Sequence, residues 1–277
     1  MTVIQNINKI VVDDLRQGNI PWKTFHLGFP TVATPSNVLT NKKYGGINPI
    51  LLQISAQKHN FNRSRYWGSL YQWQGVQCRV PFGQEPTLIF VYQEFEREGK
   101  RFKLPSTIKV FNTDQAFGST IGDFMAVNER RISSVKFNDY SQIESLIGKS
   151  GVLIKEGLTP LYYDGTITMP PRSYFKDDAQ YWSTYLHELC HHWELKVGFM
   201  GDGLQRELVA EIATGYLEGI LGLVQCTDRE NHDKYLNQWL DEADKNPKYL
   251  TQSASVATRI VYGLMNLVNP KEFSYAE

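Results

Sequence analysis

The chain has 277 residues, of which 42% are hydrophobic and 21% are charged, and its formal net charge is zero. This is the composition of an ordinary globular protein with one large domain or two modest ones. No apolar run is long enough for a membrane span, and the first residues lack the apolar segment and cleavage site of a secretory signal. The cysteines are odd in number and far apart, which argues against a disulfide framework. We therefore expect a cytoplasmic protein without a membrane partner.

The charge is unevenly distributed along the chain. Residues 1–125 contain 14 Lys and Arg against 8 Asp and Glu, whereas residues 126–277 contain 15 against 21. Opposite signs in the two halves favour two domains with different partners, and chance scatter of surface charge is the alternative. We place the predicted domain boundary between residues 125 and 126.

The first half has the pattern of a small α+β domain. Apolar residues at helical spacing predict an amphipathic helix over residues 2–17 and a second helix over 48–58. Between them, Gly, Pro and Asn predict mostly loop. A charged turn at 94–103 is expected to separate the last two of three short β-type runs. These runs cover residues 76–80, 87–92 and 107–111.

The second half is predicted to be mainly helical. A connecting region with a short helix near 140–147 precedes two short apolar runs, at 152–154 and 167–169. Four long helical patterns then follow with few breaks. They cover about 177–197, 203–223, 229–244 and 248–268.

The first of these four helices contains the motif H-E-L-C-H at residues 187–191. Residues four apart share a helix face, so the imidazoles of His187 and His191 can bind one ion. Glu188 lies about 100° around the helix, where it can act as general base on a metal-activated water. Aromatic and leucine neighbours indicate a buried or half-buried helix, in which these polar groups need partners. The alternative is a solvated helix face that contains the pattern by chance.

A third protein ligand is expected from the next helix, where Glu207 and Glu211 are four residues apart. One carboxylate would bind the metal and leave a position for water, while the other would hold a ligand imidazole. We prefer Glu207 as the ligand, and the spacing does not exclude the reverse. His192 points elsewhere and is interpreted as structural or exposed. Tyr216 and the tyrosines at 162–163 are candidates for stabilising an oxyanion.

Besides the H-E-L-C-H motif and the two glutamates, the second half contains three longer characteristic segments, one of which includes the motif. They are L-Y-Y-D-G-T-I-T-M-P-P-R-S-Y-F (161–175), Y-W-S-T-Y-L-H-E-L-C-H-H-W (181–193) and R-E-L-V-A-E-I-A-T-G-Y-L (206–217). Together they resemble the zincin-like domain of the ArdC-type antirestriction proteins of plasmids, phages and other mobile elements. The resemblance covers almost the whole chain. It implies a gluzincin-like metallopeptidase site with His187, Glu188, His191 and a glutamate from residues 206–212.

The first half resembles the single-stranded DNA-binding domain of the same family. The matching segments are I-P-W-K (20–23), P-S-N (35–37), K-K-Y-G-G-I-N (42–48), R-Y-W-G-S-L-Y-Q-W (65–73) and K-V-F-N-T-D-Q (109–115). After Gly75 the sequence departs from the family pattern, with R-V-P-F-G-Q-E (79–85) where a lysine-glycine-glutamate turn is common. This departure puts one expected basic contact in doubt, and Arg79 is the candidate to stand in for it.

Basic residues interleaved with aromatic ones are typical of proteins that bind single strands. Gly45-Gly46 would let the backbone approach a phosphate. The alternative is that the aromatic residues form a domain core, which we favour for Trp67 and Trp73. The candidate DNA-binding residues are Lys42, Lys43, Tyr44, Arg63, Arg65, Trp67 and Arg79.

The resemblance to this family implies an antirestriction-type protein that binds single-stranded DNA and protects mobile-element DNA in a bacterial cytoplasm. We expect one Zn2+ per chain, with Mn2+ or another divalent metal possible, and hydrolysis of an unidentified protein substrate. One alternative is a DNA-binding shield with a non-catalytic, structural metal site. Another is a DNA-dependent repair protease of the SprT type.

Overall fold

The computed structural model describes residues 1–23, 34–62, 64–122, 140–221, 223, 230–269 and 275–276. Helix α1 (Val3–Arg16) begins at a capping box in which Thr2 and Gln5 each bond the other's backbone N–H. Its apolar stripe is buried, as the helical spacing predicted. Helix α2 (Asn48–His59) confirms the second predicted helix. The short helix α3 (Leu70–Gly75), which begins at a second capping box at Ser69, was not predicted.

The N-terminal half contributes five strands to a six-stranded sheet of order β11-β2-β1-β3-β6-β5, in which β11 (Tyr275–Ala276) comes from the other half of the chain. Two of its strands lie in the stretch predicted to be mostly loop, because two-residue strands leave no alternating pattern to read. A separate two-stranded ladder joins β4 to β7. The strands are β1 (Ser36–Asn37), β2 (Lys43–Tyr44), β3 (Tyr66–Gly68), β4 (Cys78–Arg79), β5 (Thr87–Arg97), β6 (Lys100–Asn112), β7 (Phe117–Gly118) and β11 (Tyr275–Ala276).

The predicted charged turn at 94–103 is wrong, because these residues continue β5 and β6 into one long antiparallel hairpin. Only Glu98 and Gly99 form the turn, and both have a positive φ, as a two-residue hairpin turn requires. The charged residues face one another across the strands, with Glu94 3.2 Å from Lys103 and Glu96 3.5 Å from Arg101. An exposed hairpin tolerates such cross-strand charge pairs, so the charges did not mark a loop.

The C-terminal half is mainly helical, and its four predicted long helices are confirmed. A short helix, α4 (Ser141–Ser150), and a three-stranded sheet of order β8-β10-β9 precede them. The sheet strands are β8 (Leu153–Glu156), β9 (Leu161–Tyr163) and β10 (Thr166–Met169). The long helices are α5 (Asp178–Glu194), α6 (Gly203–Leu221), α7 (Glu230–Lys245) and α8 (Tyr249–Val268). None of the described helices is long and apolar enough to cross a membrane.

The largest hydrophobic core joins the two halves of the chain. Apolar residues of α1 and α2 belong to the same cluster as those of α5, α6 and α8. Polar contacts reinforce this packing, since the Asn8 amide donates to the carbonyl of Ala243 at 2.9 Å and Arg16 pairs with Asp244 at 2.6 Å. The predicted boundary at 125/126 lies outside the described residues and stays a prediction. The fold is α+β, with a sheet-containing N-terminal half followed by a mainly helical half.

Candidate metal centre

Helix α5 presents the two histidines of the H-E-L-C-H motif on one face. It begins at Asp177, whose side chain accepts the backbone N–H of Gln180 at 2.8 Å. One turn apart, His187 and His191 bring their Nε2 atoms to 3.1 Å from each other. Two imidazole nitrogens this close need either a shared proton or a shared cation between them.

Helix α6 adds a carboxylate to this pair. The two oxygens of Glu207 lie 3.4 Å from Nε2 of His187 and 3.5 Å from Nε2 of His191. One ligand atom from each of the three residues therefore lies within 4.8 Å of the others. Two imidazoles and a carboxylate form a donor set that suits zinc and other divalent ions. The Glu207 side chain is 29% exposed, so solvent can reach this side of the site.

Glu211 lies on the other side of His187. Its Oε1 is 3.8 Å from Nδ1 of His187, and its side chain is only 7% exposed. In a metal site, this is the position of a carboxylate that orients a ligand imidazole through its second nitrogen. Glu207 and Glu211 thus lie on different sides of His187, and the preference for Glu207 as the ligand stays a prediction.

A further carboxylate, Glu194, contacts the second histidine and was missed in the sequence. Its Oε1 lies 2.9 Å from Nδ1 of His191, and its Oε2 accepts the guanidinium N–H of Arg206 at 2.6 Å. Glu194 is 1% exposed. The signal was its position three residues after His191, which places both on one helix face. Each candidate ligand histidine therefore has its own carboxylate at Nδ1.

The electrostatics of the centre reflect an excess of negative charge. Burial alone would lower the pKa of His187, but its hydrogen bond to Glu207 and the charges of Glu211 and Glu188 raise it to about 9. Burial would raise the pKa of Glu207, but His187 and the further charge of His191 lower it below its ordinary value. Glu188 itself is buried on α5. Without a metal, the raised pKa of His187 favours its protonated form at neutral pH, and a divalent cation can replace that positive charge.

The other predicted site residues make packing contacts. His192 is buried, with Nδ1 3.3 Å from the Tyr162 hydroxyl and Nε2 3.4 Å from the carbonyl of Ser150, which fits a structural role. The Tyr216 hydroxyl donates to the carbonyl of Gly46 at 2.7 Å. The side chain of Tyr163 is exposed. Two of the oxyanion candidates thus have hydroxyls that already contact other groups.

Gly46 belongs to the interface between the halves. Its N–H donates to the hydroxyl of Thr258 on α8 at 2.8 Å, and its carbonyl accepts from Tyr216 on α6. Both backbone groups of Gly46 therefore already make hydrogen bonds within the protein. The expectation that Gly45-Gly46 approaches a phosphate stays a prediction.

The candidate DNA-binding residues are spread over the N-terminal half. Lys42 and Arg79 are exposed, Lys43 is half-buried on β2, and Arg65 is half-buried with its guanidinium 5.2 Å from the centre of the Tyr66 ring. Arg63 lies outside the described residues.

Two aromatic candidates belong to the core of the sheet. Tyr44 and Trp67 are 3% and 1% exposed, and the Tyr44 hydroxyl donates to the carbonyl of Trp67. Trp73, at 0% exposed, is also buried. A base can stack on these rings only if the core opens, so the exposed residues are the better candidates for contact.

Comparison with known proteins gives matches over both halves. Residues 1–117 match the N-terminal domain of anti-restriction factor ArdC, and residues 141–256 match a zincin-like metallopeptidase. An uncharacterised protein, y4eC, of Sinorhizobium fredii is 22% identical over 275 residues, covering 87% of this chain and 83% of the relative. Two DNA primases TraC of Escherichia coli are each 26% identical and match 92% and 90% of this chain. The matched region spans only 26% and 19% of those primases.

Solved structures with this fold come from the antirestriction ArdC protein of plasmid R388. Its metal-free structure has a TM-score of 0.80 and 22% identity, and covers 99% of this chain and 100% of that one. Its Mn(II)-bound structure has a TM-score of 0.78 and 23% identity, and covers 97% and 99%. The chain is therefore an ArdC-type protein, with the family's N-terminal domain followed by a zincin-like metallopeptidase domain.

Proposed function

We propose that this protein binds single-stranded DNA and carries one zinc ion in a metallopeptidase site, and that it protects mobile-element DNA from restriction. The observation that carries the proposal is the convergence of His187, His191 and Glu207 within 4.8 Å. The Mn(II)-bound structure of the R388 protein supports a divalent metal in this fold. Zinc is our choice because two imidazoles and one carboxylate are a common catalytic zinc set.

The proposed site supplies metal ligands and a general base for peptide hydrolysis. Zinc, when bound, supplies a Lewis acid that polarises the scissile carbonyl and lowers the pKa of the attacking water. Glu188 would accept a proton from the attacking water and pass it to the leaving nitrogen, which would regenerate its carboxylate after each turnover. Glu194 contacts Nδ1 of His191 at 2.9 Å, and Glu211, 3.8 Å from Nδ1 of His187, would orient that imidazole in the same way. The partial exposure of Glu207 favours an open, catalytic site over a closed structural one.

Three basic side chains, two of them exposed and that of Arg65 half-buried, support the DNA-binding part of the proposal. Lys42, Arg65 and Arg79 have no ion pair with a carboxylate in the part of the chain that the structure describes. Arg79 lies directly opposite Phe117 in the β4–β7 ladder, and both side chains are exposed. A cation beside an exposed aromatic ring suits a phosphate and its stacked base. The match to DNA primases also supports a DNA-related role.

Metal content and activity of matched variants test the proposal. We expect about one zinc per chain in the wild type, none in His187→Ala, and full content in His192→Ala, which removes a neighbouring histidine with different contacts. Glu188→Gln should keep the metal and lose about 10²–10⁴-fold of any DNA-stimulated peptidase activity. Protection of unmodified DNA against a restricting host is measured in parallel. Protection that survives in Glu188→Gln would favour the shield, and absence of zinc from the wild type would refute the metallopeptidase site.

A further inference from the structure

Helix α6 packs tightly against the N-terminal half at Gly215, one turn beyond Glu211. A β-carbon at Gly215 would overlap the backbone carbonyl of Trp22, so only glycine permits this contact. The segment that fits there is the 3-10 turn Pro21–Lys23, which belongs to the N-terminal half. The contact therefore holds the end of this turn beside Glu211.

This packing brings a half-buried cation to the metal centre. The ammonium of Lys23 lies 3.3 Å from Oε2 of Glu211, and the two side chains are 18% and 7% exposed. The other oxygen of Glu211 faces Nδ1 of His187 at 3.8 Å. A continuous line of contacts thus runs from the N-terminal half through Glu211 to a candidate metal ligand.

The ammonium of Lys23 stabilises the charged form of Glu211, because another carboxylate lies near the same imidazole. The carboxylates of Glu207 and Glu211 lie 3.4 Å and 3.8 Å from the two nitrogens of the same imidazole, that of His187. A buried carboxylate in such company is repelled by its neighbours unless a cation holds it. Oε2 of Glu211 has no hydrogen bond within the described residues, so its ion pair with Lys23 is the contact that positions it.

Hydrogen bonds of the backbone of Gly46 fix the relative position of the two halves close to Gly215. Gly46 is bonded both to Tyr216, next to Gly215 on α6, and to Thr258 on α8. The position of Lys23 relative to Glu211 is therefore set by the docking of the N-terminal half, and does not depend on the flexible lysine side chain alone.

We propose that Lys23 is a positioning residue of the metal centre, supplied by the N-terminal half to hold Glu211 against Nδ1 of His187. The proposal rests on the proposed function, in which His187 is a metal ligand. Residues that orient ligands in this way change metal affinity by about 10–100-fold when they are replaced. The metal centre is then incomplete unless the N-terminal half is docked.

Zinc affinity of the full-length protein, measured by competition with a chromophoric chelator, tests this role. We expect Lys23→Met to weaken zinc binding about tenfold and Lys23→Arg to restore most of the loss. Once Glu211→Gln has been introduced, adding Lys23→Met should weaken binding no further, because the two residues act in series. The matched control is Lys58→Met, which removes an exposed ion pair with Glu85 far from the site in sequence and should leave zinc affinity unchanged.

The outcomes separate this inference from the proposed function. Wild-type protein that binds zinc while Lys23→Met binds it equally well would overturn the role of Lys23 alone. Wild-type protein that binds no zinc would overturn both. Thermal melting of the metal-free variants checks that they fold, and Lys23→Gln, which keeps a polar group beside Glu211, replaces Lys23→Met if that variant does not. The inference would also be overturned if Lys23→Arg failed to restore zinc affinity. The same holds if Lys23→Met lowered zinc affinity as much in the Glu211→Gln background as in the wild type.

Discussion

The metal centre draws its candidate ligands from two adjacent helices, whereas the candidate DNA surface draws on short strands and loops between residues 42 and 79. In the first region, spacing along a helix decides which side chains meet. In the second, the sheet decides which side chains are exposed, and two of the predicted aromatic contacts are buried in it. Local periodicity is therefore a good guide to a site on helices and a poor guide to a surface assembled from short strands.

The largest expected effect is the loss of stability when a buried aromatic residue of the N-terminal half is replaced, compared with an exposed one. We expect Trp67→Ala to lower the free energy of unfolding by about 3–5 kcal/mol, because it empties a fully packed position. The exposed Tyr71, with 77% of its surface accessible, is the matched aromatic control, and Tyr71→Ala should change stability by less than about 0.5 kcal/mol. Urea denaturation of both variants measures this. Equal effects would mean that the burial of Trp67 contributes nothing to the fold.

Replacing Glu194 tests whether the metal centre needs the carboxylate that contacts Nδ1 of His191. We expect Glu194→Gln to weaken zinc binding about 10–100-fold, since His191 would lose the charged acceptor at Nδ1. Glu144→Gln on α4, an exposed carboxylate, should have no effect on zinc affinity. Calorimetric titration with zinc compares the two. Unchanged affinity in Glu194→Gln would leave its contact with His191 as packing only.

The pH dependence of metal binding follows from the electrostatics of His187. With a pKa of about 9 in the metal-free protein, His187 is protonated at neutral pH, and the metal must displace that proton. We expect zinc affinity to rise about tenfold per pH unit between pH 7 and 8 and to level off above pH 9. Calorimetry in buffers of different ionisation enthalpy counts the proton released. Binding without proton release would contradict the protonated metal-free site.

The smallest expected effect concerns the DNA surface. Arg79→Ala should weaken binding of a single-stranded oligonucleotide several-fold and reduce the slope of log affinity against log salt by about 0.7, the value for one phosphate contact on a single strand. Lys176→Ala removes an exposed cation of the helical half and serves as the control. Fluorescence anisotropy at several salt concentrations measures both slopes. An unchanged slope in Arg79→Ala would remove this residue from the DNA surface.

Several features were predictable because they depend on neighbours within one element. The helices of the C-terminal half and the shared face of His187 and His191 follow from periodicity over a few turns. The charged hairpin was misread because alternating charges fit both a loop and an exposed strand. Glu194 was overlooked because many glutamates stand three residues after a histidine, and only the fold shows which of them are buried against it.

The sequence by itself determined the class of the protein, the helix that bears H-E-L-C-H and the pair of glutamates on the next helix, because these are set by short-range spacing and by resemblance over long segments. Only the tertiary structure decided which side of His187 each glutamate occupies, which aromatic residues are buried, and that Lys23 reaches Glu211. These depend on how distant segments dock. A close contact such as that of Trp22 with Gly215 on α6 brings together groups whose separation along the chain carries no information about their distance in space.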